Sequence, residues 1–125
     1  MEDKKVIWIT GASSGIGRAL AIKFANEGWI VAASARRESL LEELCKINKN
    51  IYSFPLDVTS IEQCKSVFKS IVEKFKDIEI SIFGTGIHDP KSEKEFNLEK
   101  IRKIMEVNYF GTMNSINSVY NFYND

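Results

Sequence analysis

A glycine-rich turn between a short apolar strand and an amphipathic helix constrains the fold of this chain more than any other feature. Residues 7–18 read IWITGASSGIGR, with glycines at positions 11, 15 and 17. Glycine lacks a Cβ, so its backbone can adopt positive φ angles and approach a bound group closely. A helix beginning near Gly15 points its positive dipole end at the same place. The segment therefore predicts a strand–turn–helix unit that binds a pyrophosphate through backbone N–H groups.

The glycine spacing of this turn is G-x-x-x-G-x-G, whereas the usual dinucleotide fingerprint is G-x-G-x-x-G. The two serines between the glycines can add hydroxyl donors. The alternative is a turn that serves only the tight packing of the helix on the strand. The residues expected to bind pyrophosphate are Gly11, Ser13, Ser14, Gly15, Ile16 and Gly17.

The size and charge of the chain exclude several classes of function. Its 125 residues suffice for one domain that removes roughly two thirds of its unfolded surface from water. It carries 17 Lys and Arg against 17 Asp and Glu, so no sequence-wide basic field attracts nucleic acid or an anionic membrane. No apolar run reaches the roughly 18 residues that a membrane helix needs, and no signal-peptide pattern precedes the first strand. We expect a soluble, cytoplasmic protein that binds neither nucleic acid nor membrane.

The two cysteines, Cys45 and Cys64, have neither metal-ligand spacing nor a histidine cluster nearby. We interpret both as free thiols of a reducing compartment that pack as small hydrophobic groups. No metal site is predicted.

Apolar runs and helical periodicity alternate along the chain. The runs predict four strands: Lys5–Ile9, Trp29–Ala33, Ile51–Leu56 and Glu79–Phe83. The helical stripes predict a helix from about Ile16 to Glu27, a second over Glu38–Lys46, a third that Thr59 or Ser60 caps and that ends before Asp77, and a last from about Leu98 to Tyr123.

Strands that alternate with helices through short loops predict an α/β fold with a doubly wound parallel sheet and helices on both faces. The expected strand order is 3-2-1-4. Ligands of such sheets bind beyond the carboxyl ends of the strands at the switch point, here between the first and fourth strands. The segments 11–17 and 84–86 should therefore face one crevice. With no repeat or linker in view, residues 1–125 are interpreted as a single domain.

The segment from Thr10 to Gly17, in this strand order, resembles the glycine motif of the short-chain dehydrogenase/reductase family. The resemblance also places Thr10 among the cofactor-binding residues. The resemblance implies a Rossmann-like dinucleotide-binding domain and an oxidoreductase that transfers hydride between a nicotinamide cofactor and a small carbonyl or alcohol substrate. It also implies that the Asp57 carboxylate accepts from the adenine amino group while the Val58 N–H donates to the ring. The alternative for Asp57 is a plain helix cap.

Asn108, in the segment MEVNYFG, matches the helical asparagine that in family members helps hold the proton-relay water near the active-site lysine. It is the one catalytic residue that the resemblance implies for this chain. The alternative is an interior polar residue that bonds the backbone at a helix irregularity.

The residues after the second strand bear on the choice of dinucleotide. Family members that use NAD commonly carry an acid there, because a carboxylate binds the ribose hydroxyls and repels a 2′-phosphate. This chain reads Ser34-Ala35-Arg36-Arg37, and an arginine can bind a phosphate through two charge-assisted hydrogen bonds. We predict NADP(H) in preference to NAD(H), with Arg36 as the main ligand and Arg37 as the weaker one. The alternative is a solvated arginine pair.

Two departures from the family pattern stand out. The fourth strand of the family typically ends in Asn-Asn-Ala-Gly, whereas this chain reads Phe83-Gly84-Thr85-Gly86. We expect Gly84, Thr85 and Gly86 to lie at the cofactor ribose. The family's catalytic serine, tyrosine and lysine have no counterpart, since the residue four positions after Tyr120 is Asn124. We interpret Tyr120 and Tyr123 as core or interface aromatic residues.

The resemblance thus covers the whole chain but about the first half of a family member, as if truncated before the fifth strand. We expect the chain alone to be inactive. The alternatives are a complete non-catalytic module that binds NADPH or regulates a partner, and an interaction protein that keeps only the fold. His88 is either a substrate contact or a solvated loop residue. A homo-oligomer is expected, with a marginally stable monomer as the alternative. The reason is that the last helix and the edge of the fourth strand would expose apolar residues such as Met105, Val107, Phe110 and Phe122.

Overall fold

A computed structural model describes residues 4–87 and 95–124 of the chain. Its centre is a four-stranded sheet in which all three neighbouring pairs run parallel. The strands are β1 (Val6–Thr10), β2 (Ile30–Ser34), β3 (Ile51–Ser53) and β4 (Ile80–Phe83). The spatial order is β3-β2-β1-β4, which confirms the predicted order.

Helices connect the strands and cover the sheet. They are α1 (Gly15–Asn26), α2 (Glu38–Ile47), α3 (Ile61–Phe75), α4 (Leu98–Met105) and α5 (Gly111–Asn124). Instead of one regular final helix, α4 and α5 are joined by a π-helical turn over Glu106–Phe110. Such a turn inserts one extra residue into a helix and is frequent at functional sites. Among the described residues, no helix has both the length and the apolar character that crossing a membrane requires.

The alternating side chains of β1 build two cores, one on each face of the sheet. Ile7 and Ile9 pack with buried residues of α1 and α2, whereas Val6 and Trp8 pack with buried residues of α3 and α5. A strand that is buried on both faces carries an unbroken apolar run rather than an alternating one. This explains why the sequence of β1 is apolar from Val6 to Ile9.

The third strand ends earlier than its apolar run predicts, at Ser53 rather than Leu56. Pro55 has no N–H and so cannot donate to a ladder. The chain nevertheless stays beside β2. The Phe54 N–H donates to a carbonyl within β2 at 2.9 Å, and the Leu56 N–H donates to the carbonyl of the residue just after β2 at 3.0 Å. Leu56 is buried in consequence.

Two residues that the sequence placed on an exposed surface are covered. Val107 is buried against the α3 side of the sheet, and Phe122 packs edge-on against Phe68 with ring centroids 5.3 Å apart. That part of the prediction was wrong, because both side chains join or pack against the core on the α3 side of the sheet. Met105 and Phe110, in contrast, are 47% and 49% exposed.

Candidate functional site

A cleft of about 870 Å³ lies beyond the carboxyl ends of the strands, where the sequence places the crevice. It spans the switch point between β1 and β4, the usual ligand position in doubly wound sheets. Its walls are formed by Gly11, Ser13, Ser14, Gly15, Ile16, Gly17, Leu20, Ala35, Arg36, Arg37, Leu40, Leu56, Ile82, Gly84, Thr85, Gly86 and Ile87.

Close backbone packing accounts for two of the three glycines of the turn. Gly11 has φ +69°, and a Cβ there would lie 2.6 Å from the carbonyl carbon and oxygen of Gly84. A Cβ on Gly17 would collide with the carbonyl oxygen of Gly11. At these two positions the packing alternative is therefore sufficient, since only glycine lets the backbones approach so closely.

Gly15 differs from its two neighbours because packing does not explain it. Its φ is +57°, yet a Cβ there would meet no described atom within 4 Å. Its Cα borders the open cleft at the first residue of α1. The Ser14 hydroxyl beside it makes no capping hydrogen bond with any residue that the structure describes. A helix N-terminus with such an approach is suited to an anion.

The arginines that follow β2 border the same cleft. Ala35 is buried at the strand end, whereas Arg36 and Arg37 are exposed and line the cleft. Both arginines therefore border the same cavity as the glycine turn, beyond the carboxyl end of β2, the strand beside β1.

The turn after β4 closes the other side of the cleft, with Gly84, Thr85 and Gly86 in its wall. Phe83, which stands where the family pattern has an asparagine, points into the core and meets Trp8 edge-on, with ring centroids 5.7 Å apart. A Cβ on Gly84 would lie 3.1 Å from the carbonyl oxygen of Thr10, so the turn passes very close to the end of β1.

Four of the proposed site residues lie away from the cleft lining: Thr10, Asp57, Val58 and Asn108. Thr10 is buried at the end of β1, and its Oγ1 has no hydrogen-bond partner among the described residues. Its register partners are Ser34 of β2 and Phe83 of β4. The Ser34 hydroxyl accepts from the Trp8 indole at 2.9 Å.

Asp57 and Val58 form the turn between β3 and α3. The Asp57 carboxylate accepts from the Thr59 hydroxyl at 2.7 Å and from the Thr59 N–H at 3.0 Å. The hydroxyl hydrogen bond is the main cause of a lowered Asp57 pKa, the N–H adds to it, Arg36 contributes by charge, and partial burial opposes them. The cap of α3 is Ser60, whose Oγ accepts from the Gln63 N–H at 3.2 Å.

Asn108 lies in the π-helical turn and binds both backbone groups of Ile87. Its Oδ1 accepts from the Ile87 N–H at 2.7 Å, and its Nδ2 donates to the Ile87 carbonyl at 2.9 Å. This is the backbone-bonding geometry that the sequence left open as an alternative. Because Ile87 lines the cleft, Asn108 fixes part of the cleft wall from behind.

Sequence reasoning missed six residues of the cleft wall: Leu20, Ala35, Leu40, Leu56, Ile82 and Ile87. Ala35 follows β2, and Leu56 follows β3 after two residues. The rule that ligands bind beyond strand carboxyl ends offered a signal for these two. Leu20 and Leu40 carried no such signal, since an apolar helical position predicts only burial. His88 lies outside the described residues.

Replacement of Asn108 by alanine should loosen Ile87. Asn108→Ala removes both hydrogen bonds, so we expect a loss of about 1–2 kcal/mol in unfolding free energy and faster hydrogen exchange at the Ile87 amide, measured by NMR. Asn108→Asp retains an acceptor for that amide and should keep it better protected than alanine does. Exposed Asn121 provides the control Asn121→Ala. Equal protection of Ile87 in all variants would contradict the assignment.

Asp57 should make stability depend on acidity. Because its folded pKa is lowered, its contribution is fully present above the unfolded value of roughly 4 and is lost as pH falls through the folded pKa. Urea midpoints measured between about pH 6 and pH 2 should therefore fall further for the wild type than for Asp57→Asn. Thr59→Val should reduce the difference and Thr59→Ser preserve it. Parallel profiles for the wild type and Asp57→Asn would refute the assignment.

Comparison with known proteins places this site in a family. Residues 5–124 match the profile of the short chain dehydrogenase family. A Dictyostelium discoideum dehydrogenase/reductase SDR family protein 7-like is 35% identical, over 94% of this chain and 41% of that protein. Human dehydrogenase/reductase SDR family member 7 is 34% identical, over 86% of this chain and 34% of that protein.

Solved structures are similar over the same region. ElxO with NADP bound superimposes with a TM-score of 0.86 at 25% identity, covering 95% of this chain and 50% of that one. A 3-ketoacyl-(acyl-carrier-protein) reductase from Brucella melitensis complexed with NADH gives 0.82 at 25% identity, covering 92% and 48%. The chain thus spans half or less of the length of each of these relatives. On the family profile, the identities and the shared strand order, this chain belongs to the short-chain dehydrogenase/reductase family of oxidoreductases.

Proposed function

We propose that residues 1–125 form one dinucleotide-binding domain, the cofactor-binding half of an NADP(H)-dependent oxidoreductase. In its complete form the protein would transfer hydride between nicotinamide and a small carbonyl or alcohol substrate. One observation carries the proposal: the open N-terminus of α1 at Gly15 and the arginines after β2 border a single cleft.

The cleft fits a pyrophosphate at the glycine turn. Gly15 leaves open the space that a Cβ would fill, and no capping bond occupies the neighbouring Ser14 hydroxyl within the described part of the chain. Backbone N–H groups at the start of α1 would donate to phosphate oxygens, aided by the helix dipole. Gly11 and Gly17 contribute indirectly, because their close packing holds the turn against β4.

Discrimination between NADP(H) and NAD(H) is assigned to the residues after β2. Relatives of equal identity were solved with NADP and with NADH, so family membership leaves the choice open. In this chain Arg36 and Arg37 border the cleft, and both can donate to a 2′-phosphate.

The remaining residues orient the rest of the dinucleotide. Gly84, Thr85 and Gly86 would admit the ribose, Asp57 and Val58 would meet the adenine edge, and Thr10 would support the glycine turn from below. When bound, a nicotinamide cofactor would carry the hydride chemistry, and the residues of this chain would orient it. Asn108 serves catalysis here as a positioning residue, since it holds Ile87 in the cleft wall.

We also propose that the chain self-associates through the outer face of α4 and α5. Exposed apolar residues recur there at helical spacing, with Met105 at 47%, Tyr109 at 51% and Tyr120 at 59% exposure. Tyr123 belongs to the same face, and its hydroxyl shares a 2.7 Å hydrogen bond with Ser81 of β4. Exposed apolar surface of this length is more stable when a second copy of the chain packs against it and buries it.

The cofactor proposal predicts selective loss of NADPH binding on reversal of one charge. Arg36→Asp should weaken NADPH about tenfold to a hundredfold and leave NADH unchanged or improved, because a carboxylate repels the 2′-phosphate but accepts from ribose hydroxyls. Isothermal titration calorimetry measures both. Arg102→Asp makes the same charge change on exposed α4 and should affect neither ligand.

The other possible results of the binding and turnover measurements would contradict the proposal or favour one of the alternative functions. Unchanged NADPH binding in Arg36→Asp removes Arg36 from the site. A folded wild-type chain, judged by circular dichroism, that binds neither dinucleotide would refute the proposal and favour an interaction protein. Binding without turnover by the full-length gene product would favour the non-catalytic module. The 125-residue chain alone should show no turnover.

The association proposal predicts a smaller species on disruption of the apolar face. Met105→Glu places a charge there and should shift the wild-type oligomer toward monomer in sedimentation velocity at high protein concentration. Ile61, 47% exposed at the start of α3, supplies the control Ile61→Glu, which should leave the oligomer intact. A wild-type chain that sediments as a sharp monomer would overturn the proposal.

A further inference from the structure

Helix α5 holds the turn between β3 and α3 through one side-chain hydrogen bond. The Asn114 amide Nδ2 donates to the carbonyl oxygen of Val58 at 2.9 Å, across 56 positions of sequence. On the other side the Cys64 thiol approaches the same oxygen at 3.8 Å. The carbonyl thus points away from the cleft and toward the helices.

The side chain of Val58 is held by the same helix. A Cβ on Gly111, the first residue of α5, would lie 2.5 Å from Val58 Cγ2, so only glycine admits the valine at this distance. Val58 is buried as a result. The Ser115 hydroxyl donates to the Gly111 carbonyl at 2.8 Å, which fixes this turn of α5.

These two contacts bear on the direction of the Val58 backbone N–H. The carbonyl and the side chain of Val58 are both fixed by α5, and tetrahedral geometry at the Val58 Cα then fixes the position of its backbone nitrogen. The other end of the Asp57–Val58 segment is held as well, because the Asp57 N–H donates to Gln63 Oε1 at 2.9 Å, so the Val58 N–H has little freedom to turn. That N–H is the group assigned above as a donor to the adenine ring. Asn114 and Gly111 therefore control the orientation of a donor that they do not touch.

The same helical segment holds the other end of the cleft. Asn108, six positions before Asn114, binds Ile87 in the loop after β4, while Asn114 binds the turn after β3. These loops extend from the two edge strands of the sheet. One helical segment is thereby bonded to the backbone at both sides of the cleft.

We propose that Asn114 and Gly111 are positioning residues for adenine recognition, acting through Val58. The inference rests on the proposed function. It adds a determinant of specificity on α5, outside the cleft wall, and it couples the adenine side of the cleft to the loop that Asn108 holds.

The test compares NADPH with deamino-NADPH, in which hypoxanthine replaces adenine. Hypoxanthine carries a hydrogen on ring N1 and lacks the amino group, so it offers neither the acceptor for the Val58 N–H nor the donor for Asp57. By calorimetry the wild type should prefer NADPH, and Asn114→Ala should narrow that preference about threefold to tenfold. A purely structural role would weaken both ligands equally and leave the ratio unchanged. Asn117→Ala, on the exposed side of α5, should retain the wild-type ratio.

A second pair of variants tests the packing of Val58 against Gly111 by changing the size of the two side chains. Gly111→Ala forces Val58 to move and should narrow the preference as Asn114→Ala does. The double variant Val58→Ala/Gly111→Ala removes the methyl groups in conflict and should restore the preference, since the Val58 N–H is retained. Failure of the double variant to restore the ratio would overturn the role of Gly111.

The possible outcomes distinguish a failure of this inference from a failure of the proposed cofactor-binding function. A folded wild type that binds neither dinucleotide refutes the proposed function. A wild type that binds NADPH without discrimination, or an Asn114→Ala variant with an unchanged ratio, refutes only the inference. If Asn114→Ala fails to fold, the Gly111 variants decide.

Discussion

The close approach of two backbones at the ends of β1 and β4 is the contact on which the cleft depends. Gly11 and Gly84 pack so tightly that a Cβ on Gly11 would lie 2.6 Å from the Gly84 carbonyl, and Gly17 is packed as tightly on Gly11. These contacts bring the N-terminus of α1 beside the turn after β4. Gly15, which is free of them, is left to face the cleft.

The loops after β3 and β4 are also held by side-chain amides. Asn108 pairs with both backbone groups of Ile87, and Asn114 donates to Val58. Loops at strand ends lack ladder partners, so their backbone groups need others. The π-helical turn and α5 supply them from one segment.

The sequence predicted the fold better than it predicted the site. Apolar runs and helical stripes were enough for the strand order, and the glycine turn with Arg36 and Arg37 was expected on the crevice that the structure contains. Asp57 and Val58 were expected from a resemblance, yet they lie outside the cleft lining. Leu20 and Leu40 went unnoticed, because an apolar residue in a helix predicts burial against the sheet and says nothing of a nearby cavity.

The sequence by itself determined the class of fold and the position of the crevice, because these follow from local periodicity and from where parallel strands end. Only the tertiary structure decided which groups meet across the chain. Phe122 is partly covered by Phe68, Val107 is buried in the core on the α3 side of the sheet, and Asn114 reaches Val58. Asn114 and Phe122 follow the π-helical turn, whose extra residue changes the helix face on which later side chains lie. Periodicity averaged over a whole helix does not register one inserted residue, so the contacts that orient the site emerge only when the elements pack.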